Sequence, residues 1–171
     1  DLEEFVRHSN RIEMESEAPG DPLYDDHLAV ARLLALGHSM DPQQIHRVIM
    51  WSRPDKFPGE LRQCRIWVGD SEKMTAQAVR RSYPTLLSAA DIGPEDGEDP
   101  EAWCWDMHHW LEYVHPFLDG NGRTGRLWLN ALRMRHELPW LTVRHEDRFS
   151  YYRSIEEWEH AIEAPEPGLG G

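Results

Sequence analysis

Three times the chain writes Asp followed by Pro ahead of an apolar-periodic stretch: Asp21-Pro22, Asp41-Pro42 and Asp99-Pro100. An aspartate at that place accepts from the free amides of a first helical turn. A proline at the first helical position forfeits nothing, because the N–H it lacks would have had no intrahelical partner. Each pair therefore marks a helix start. After the first, Leu23, Leu28, Leu33 and Leu34 carry the helix to a stop near Gly37. After the second, Gln44 completes a capping box, and Ile45, Val48 and Ile49 supply the buried face. After the third, Trp103, Met107, Trp110, Leu111 and Val114 lie along one face, and the helix must end at Val114–His115 because Pro116 pushes its predecessor out of the α region.

Helical spacing also runs through Leu2, Phe5, Val6 and Ile12 until Pro19-Gly20. It recurs from about Thr75 to Ala90 with a bend at Pro84, and from about Arg123 to Glu137, stopped before Pro139. Phe149, Tyr152, Ile155 and Ile162 suggest a last helix. Only Phe57–Gly69 breaks the pattern. Pro58-Gly59 marks a turn and Arg65-Ile66-Trp67-Val68 reads as a short strand ending at Gly69, so a small β-hairpin is expected there. Asp91–Asp99 reads as a solvated acidic connector. The sequence predicts a mainly α domain with one small hairpin. The divisions are residues 1–18 as a leading helix, 19–163 as the main domain and 164–171 as a flexible tail.

Charge narrows the partners. The formal net charge is −13, which repels phosphate backbones and argues against a nucleic-acid partner. No apolar run approaches the roughly 18 residues of a membrane span, so no membrane association is expected. Cys64 and Cys104 make no disulfide framework and no metal spacing, which fits a reducing, cytoplasmic setting. His108 and His109, adjacent on a helix, face different ways and read as structural, as does Asp106. The many tryptophans read as core.

The chemistry lies in His115-Pro116-Phe117-Leu118-Asp119-Gly120-Asn121-Gly122-Arg123-Thr124-Gly125-Arg126. One helix delivers the chain to a tight loop and another leaves it. Gly120 and Gly122 let the backbone approach a ligand, and the free amides of the new helix make an anion site. Arg123 and Arg126 add forked donors suited to phosphate oxygens. An aspartate inside a phosphate site would repel its ligand unless a hard cation lay between them, so Asp119 points to Mg²⁺. His115, at the loop entrance, has an ordinary pKa suited to accepting a proton near neutral pH. Phe117 can pin the loop to the core. On residue types alone, a glycine-asparagine turn with solvated arginines and a capping histidine remains an alternative.

The segment resembles the Fic-domain signature H-x-F-x-[DE]-G-N-G-R-x-x-R, and every specified position matches. The likeness extends from about Ser9 to Glu159. It implies a Fic-type helical domain that moves AMP from ATP onto a hydroxyl of a protein target, a Ser, Thr or Tyr. His115 would be the general base and Asp119 would hold Mg²⁺. Gly120, Asn121 and Gly122 would cradle phosphates, Asn121 through its side chain and Gly122 through its backbone. Arg123 would take the β-phosphate and Arg126 the γ-phosphate. Phe57-Pro58-Gly59 through Val68-Gly69 resembles the family's β-hairpin flap, with Arg65, Ile66, Trp67 and Val68 docking the target, and Tyr152 falls where related domains set a tyrosine against adenine. A homodimer is left open.

Ser9 and Glu13 stand four apart on one helix face. Taken alone, that is an ordinary amphipathic helix. The resemblance adds an inhibitory helix of the form S/T-x-x-x-E-G/N, whose Glu13 would occupy Arg126 and keep the γ-phosphate out. Met14 departs from the pattern, where Gly or Asn usually follows. Two other functions compete with transfer: hydrolytic removal of AMP from a modified protein, and a nucleotide-binding regulator with little turnover.

Overall fold

The computed structural model describes residues 1–163; the expected tail lies outside the described residues. The helices are α1 (Leu2–Ile12), α2 (Pro22–Ala35), α3 (Pro42–Ile49), α4 (Ala76–Ile92), α5 (Pro100–Val114), α6 (Asn121–Arg135) and α7 (Arg148–Glu163). A two-stranded antiparallel hairpin, β1 (Trp67–Val68) and β2 (Ser71–Glu72), stands between α3 and α4.

The three Asp-Pro starts cap as expected. Asp21 accepts from the Leu23 amide, Asp99 from Glu101, and Asp41 from Gln44, whose side chain returns the bond to the Asp41 amide. Each such cap is worth about 1 kcal/mol against alanine. At the N-terminus the expected length is corrected. α1 stops at Ile12, well before Pro19-Gly20, because Met14 turns left-handed at φ 56° and reverses the chain. α4 continues through Pro84 to Ile92, and Gly93 ends it.

Helix α6 is the axis of the molecule. Residues Asn121 and Arg123 through Arg133 are buried on every side, with α1, α2, α3 and α5 packed around them. Leu127, Trp128, Leu129 and Leu132 join Phe5 and Val6 of α1, Ile45 and Ile49 of α3, and Leu111 and Val114 of α5 in one core. Polar residues of α6 are buried too. Asn130 pairs with both backbone groups of Leu141, and Arg133 reaches Glu101 at 2.7 Å. These bonds compensate the desolvation that burying such groups entails.

Three sequence expectations are corrected. The hairpin lies further along than expected: β1 begins at Trp67, the turn is Gly69-Asp70, and Phe57–Gly59 belongs to a left-handed bend after a short 3₁₀ turn. Of the last helix, Tyr151 is the buried residue, whereas Phe149, Tyr152 and Ile162 are largely on the surface. Trp51 and Trp67 are exposed; Trp103 and Trp128 are the fully buried tryptophans.

Candidate active site

The site is built where α5 hands over to α6. α5 ends because His115 enters the left-handed region at φ 48°, and α6 starts at Asn121, two residues earlier than the apolar pattern indicates. Gly120 makes the second reversal at φ 73°, and a Cβ there would meet the Met50 sulfur at 2.8 Å. Only glycine therefore fits both the backbone and the space.

Between those two reversals the loop is bolted from below. The Asn121 carboxamide accepts from the Phe117 amide and donates to the Phe117 carbonyl, both at 2.9 Å. The side chain thus closes the loop with one lone pair and one N–H, both turned to Phe117. Phe117 is fully buried and stacks on His46, with ring centroids 4.0 Å apart. His46 Nδ1 accepts from the Gly59 amide at 2.8 Å, which leaves Nε2 to donate to the Asp119 carbonyl at 3.0 Å. The tautomer follows from the neighbours. Burial holds the His46 pKa down to about 4, so the ring is a neutral strut at physiological pH.

Arg62, which the sequence reading missed, joins the hairpin region to this loop. Its amide donates to the Pro116 carbonyl, and its guanidinium donates to the carbonyls of His115, Cys64 and Met74. No local periodicity marks a residue whose partners are backbone carbonyls up to 54 positions away.

His115 lines a cleft of about 600 Å³ together with Glu13, Gly122, Arg126, Tyr152 and Lys73. His115 Nδ1 donates to the Glu112 carbonyl at 3.2 Å, leaving Nε2 with the lone pair. Burial, reinforced by Lys73, lowers its pKa to about 4. The ring is therefore neutral at pH 7 but a weaker base than its unperturbed value suggests. Asp119 is partly exposed; its carboxylate accepts from the Gly120 amide at 2.7 Å and lies 3.9 Å from Lys56. A partly exposed carboxylate is the kind of ligand Mg²⁺ takes, typically one or two such groups with water and phosphate filling the rest of its shell.

The two arginines project from the first turns of α6, each about 1% exposed. Arg126 is richly held. Its Nε donates to Ser9 Oγ, and its Nη2 donates to the Ser9 carbonyl at 2.9 Å and to Glu13 Oε1 at 2.8 Å. Among the described residues, Arg123 has only the Met50 sulfur at 3.3 Å and Glu15 at 3.5 Å, while its Nε and Nη1 are buried without a partner. A Cβ on Gly122 would collide with the Glu13 carboxylate, so the amide end of α6 and Glu13 face one another. Glu112, also missed, sits buried one turn before His115; burial raises its pKa to about 7.

Of the remaining expected residues, Val68 and Tyr152 line the same cleft. Val68 lines it from the hairpin, while Trp67 and Arg65 face solvent and Ile66 is half-buried just before β1. Tyr152 lines the opposite wall. Its neighbour Tyr151 is buried, with its hydroxyl 2.9 Å from His108 Nε2.

A model of the Fic/DOC family matches residues 40–132, more than half of the chain. Over 117 residues the chain is 47% identical to "Protein adenylyltransferase Fic" of Nematostella vectensis, covering 68% of this chain and 27% of that protein. It is 30% identical over 115 residues to "Protein adenylyltransferase fic-1" of Caenorhabditis elegans, covering 67% and 23%. The chain thus spans about a quarter of the curated relatives it matches. The same fold occurs in a Fic domain containing signaling protein from Bacteroides thetaiotaomicron, with TM-score 0.79, 17% identity, and 96% and 73% of the two chains covered. It also occurs in Fic-1 from C. elegans, with TM-score 0.71, 24% identity, and 90% and 54% covered.

Proposed function

We propose that this chain, which belongs to the Fic/DOC family, is a protein adenylyltransferase that moves AMP from ATP onto a hydroxyl of a target protein. The observation that carries the reading is the shared cleft: a neutral imidazole and a buried arginine, Arg126, beside the opening turn of a helix whose amides are free. Phosphate fits the helix end and the arginines. The His115 imidazole fits an acceptor role, because Nδ1 is fixed as the donor and Nε2 keeps its lone pair.

In the proposed reaction Nε2 of His115 takes the proton from the target hydroxyl. The hydroxyl oxygen attacks the α-phosphorus, the bond to the β-phosphate bridging oxygen breaks, and pyrophosphate leaves. Arg123 would hold the β-phosphate and Arg126 the γ-phosphate. Mg²⁺ held by Asp119 would neutralise phosphate charge. Anionic phosphates beside His115 favour its protonated form, so nucleotide binding itself would restore basicity that burial removes. The hairpin would dock the target, and Tyr152 would lie against the base.

Glu13 supports an autoinhibited resting form. It occupies Nη2 of Arg126, with Ser9 holding the same guanidinium from the other side. Glu13→Gly should raise transfer severalfold, and the gain should vanish when His115→Ala is added. Because the Glu13 carboxylate also lines the cleft with His115, it could orient water for the reverse, hydrolytic removal of AMP. Incubation with labelled ATP decides among the readings. Label from the α-phosphate on protein is the expected result, and label from the γ-phosphate would mean a kinase instead. Loss of AMP from a pre-modified protein would favour the hydrolase.

A further inference from the structure

The segment after α1 carries two carboxylates, and they reach different arginines. Glu13 Oε1 lies 2.8 Å from Arg126 Nη2, and Glu15 Oε1 lies 3.5 Å from Arg123 Nη2. Met14 between them explains the geometry. Its left-handed φ of 56° folds the chain back while its own side chain is 94% exposed. Alternate residues are thereby turned to the same side, toward α6.

The returning strand is held in place. The Glu15 amide donates to the Asn10 carbonyl at 2.9 Å, the Asn10 carboxamide donates to the Ser16 carbonyl at 2.6 Å, and Arg11 grips Glu17 at 2.7 and 2.6 Å. Asn10 is itself buried and fixed by His27 Nδ1 at 2.7 Å. Glu15 is therefore not a loose surface side chain that drifts near Arg123.

Arg123 is the less satisfied of the two arginines. It is buried, with Nε and Nη1 unpartnered, and Glu15 is the one carboxylate within 4 Å of it among the described residues. A buried guanidinium in that state binds an anion strongly, because the alternative is an uncompensated charge.

We propose that Glu13 and Glu15 act together as an internal stand-in for a diphosphate, each carboxylate occupying the arginine that would otherwise take one phosphate. The inference rests on the nucleotide-binding reading of the cleft. It adds a second, separable contact, directed at the β-phosphate position rather than the γ. A nucleotide that keeps its β-phosphate must displace Glu15; one that also carries a γ-phosphate must displace both.

The three adenine nucleotides separate the two contacts. Calorimetric titration of ATP, ADP and AMP, each with Mg²⁺, is run on the wild type, Glu13→Gln, Glu15→Gln and the double variant. Glu15→Gln should tighten ADP and ATP by about three- to tenfold, the range expected when one charge-assisted competitor is removed, and leave AMP within twofold. Glu13→Gln should tighten ATP alone. Glu15→Ala, which removes the acceptor altogether, should repeat the ADP effect. If both Glu15 variants bind ADP as the wild type does while Glu13→Gln tightens ATP, the second contact is overturned and the nucleotide reading stands. If AMP tightens as much as ADP, the effect is general loosening and the proposal is equally overturned. If no nucleotide binds even the double variant, the nucleotide reading fails and the proposal fails with it.

Discussion

The loop at the start of α6 and the hairpin β1–β2 face the same cleft, yet they are held in opposite ways. The loop is gripped from three directions: Asn121 closes it, Phe117 on His46 anchors it, and Met50 leaves room at Gly120 for no side chain. The hairpin has two residues per strand, and Trp67 and Val68 are both exposed. Its ladder continues by one bond, from the Lys73 amide to the Ile66 carbonyl. The contrast fits a division of labour. The proposed phosphate chemistry would need donors fixed to fractions of an ångström, and the loop is correspondingly over-determined. The proposed docking of a protein segment would use a free strand edge that accepts a variable partner, and the hairpin is correspondingly thin and open. Lys73 ties the thin element to α7 through Glu159 at 2.6 Å, and Arg62 ties it to the loop.

The largest expected effect lies on the rigid side. His115→Ala should lower AMP transfer by roughly 10²- to 10⁴-fold, the usual contribution of a general base, while nucleotide affinity changes little. Transfer rates near wild type would show that the base lies elsewhere. In the nucleotide-free protein the His115 ring should titrate near pH 4 by NMR. It is neutral above that value, so a free-protein titration at pH 6 to 7 would contradict its burial. A histidine with a depressed folded pKa loses stability as pH falls through its unfolded value of about 6.5 toward 4.

Cutting the connection between the two regions should come next. Arg62→Met leaves three carbonyls, of His115, Cys64 and Met74, without their donor. These bonds are part-buried and Cys64 is exposed; an acceptor left unsatisfied costs about 1 kcal/mol or more only where water cannot reach it, so roughly 1–3 kcal/mol of stability should be lost in chemical denaturation. A change below about 1 kcal/mol would mean that hairpin and loop are not coupled through this residue.

Smaller effects belong to the hairpin. Its two-residue turn makes Val68 and Ser71 a hydrogen-bonded pair, so Trp67, opposite Glu72, directs its own N–H to the free edge. Trp67→Pro removes that donor without breaking the internal ladder. Target modification should fall by up to about tenfold, the equivalent of one main-chain bond, with ATP affinity preserved; equal losses in both would mean that the edge does not dock the target. Smallest of all should be Arg65→Ala. The Arg65–Glu72 pair at 2.6 Å is solvent-exposed, and such pairs contribute about 1 kcal/mol or less. A melting temperature lowered by more than a few degrees would show the hairpin to be structurally tighter than its exposure implies.

Legibility in the sequence followed the range over which each signal acts. The Asp-Pro starts and the capping box could be read because a cap is satisfied within four residues. The end of α5 was legible because Pro116 restricts its immediate neighbour. The exposed faces of α7 and the true strands of the hairpin were not legible. Phe149 and Ile162 have the right residue type and helical spacing, but whether such a face is covered depends on elements elsewhere. The loop His115–Arg126 announced an anion site through its glycines and arginines. It did not announce that the Asn121 side chain closes the loop on Phe117, since an asparagine in such a loop reads the same whatever it bonds.

By itself, then, the sequence determined a mainly helical chain, its Asp-Pro helix starts and the residue types of the loop His115–Arg126, because these depend on local sterics and local hydrogen bonds. Tertiary structure decided the rest. It brought Ser9, Glu13 and Glu15 against arginines more than a hundred positions away, set Arg62 under His115, and buried Glu112 and His46 until their proton affinities moved. Those outcomes arise from desolvation and from pairing across the fold. Neither is defined until the chain has closed around α6 and removed the water.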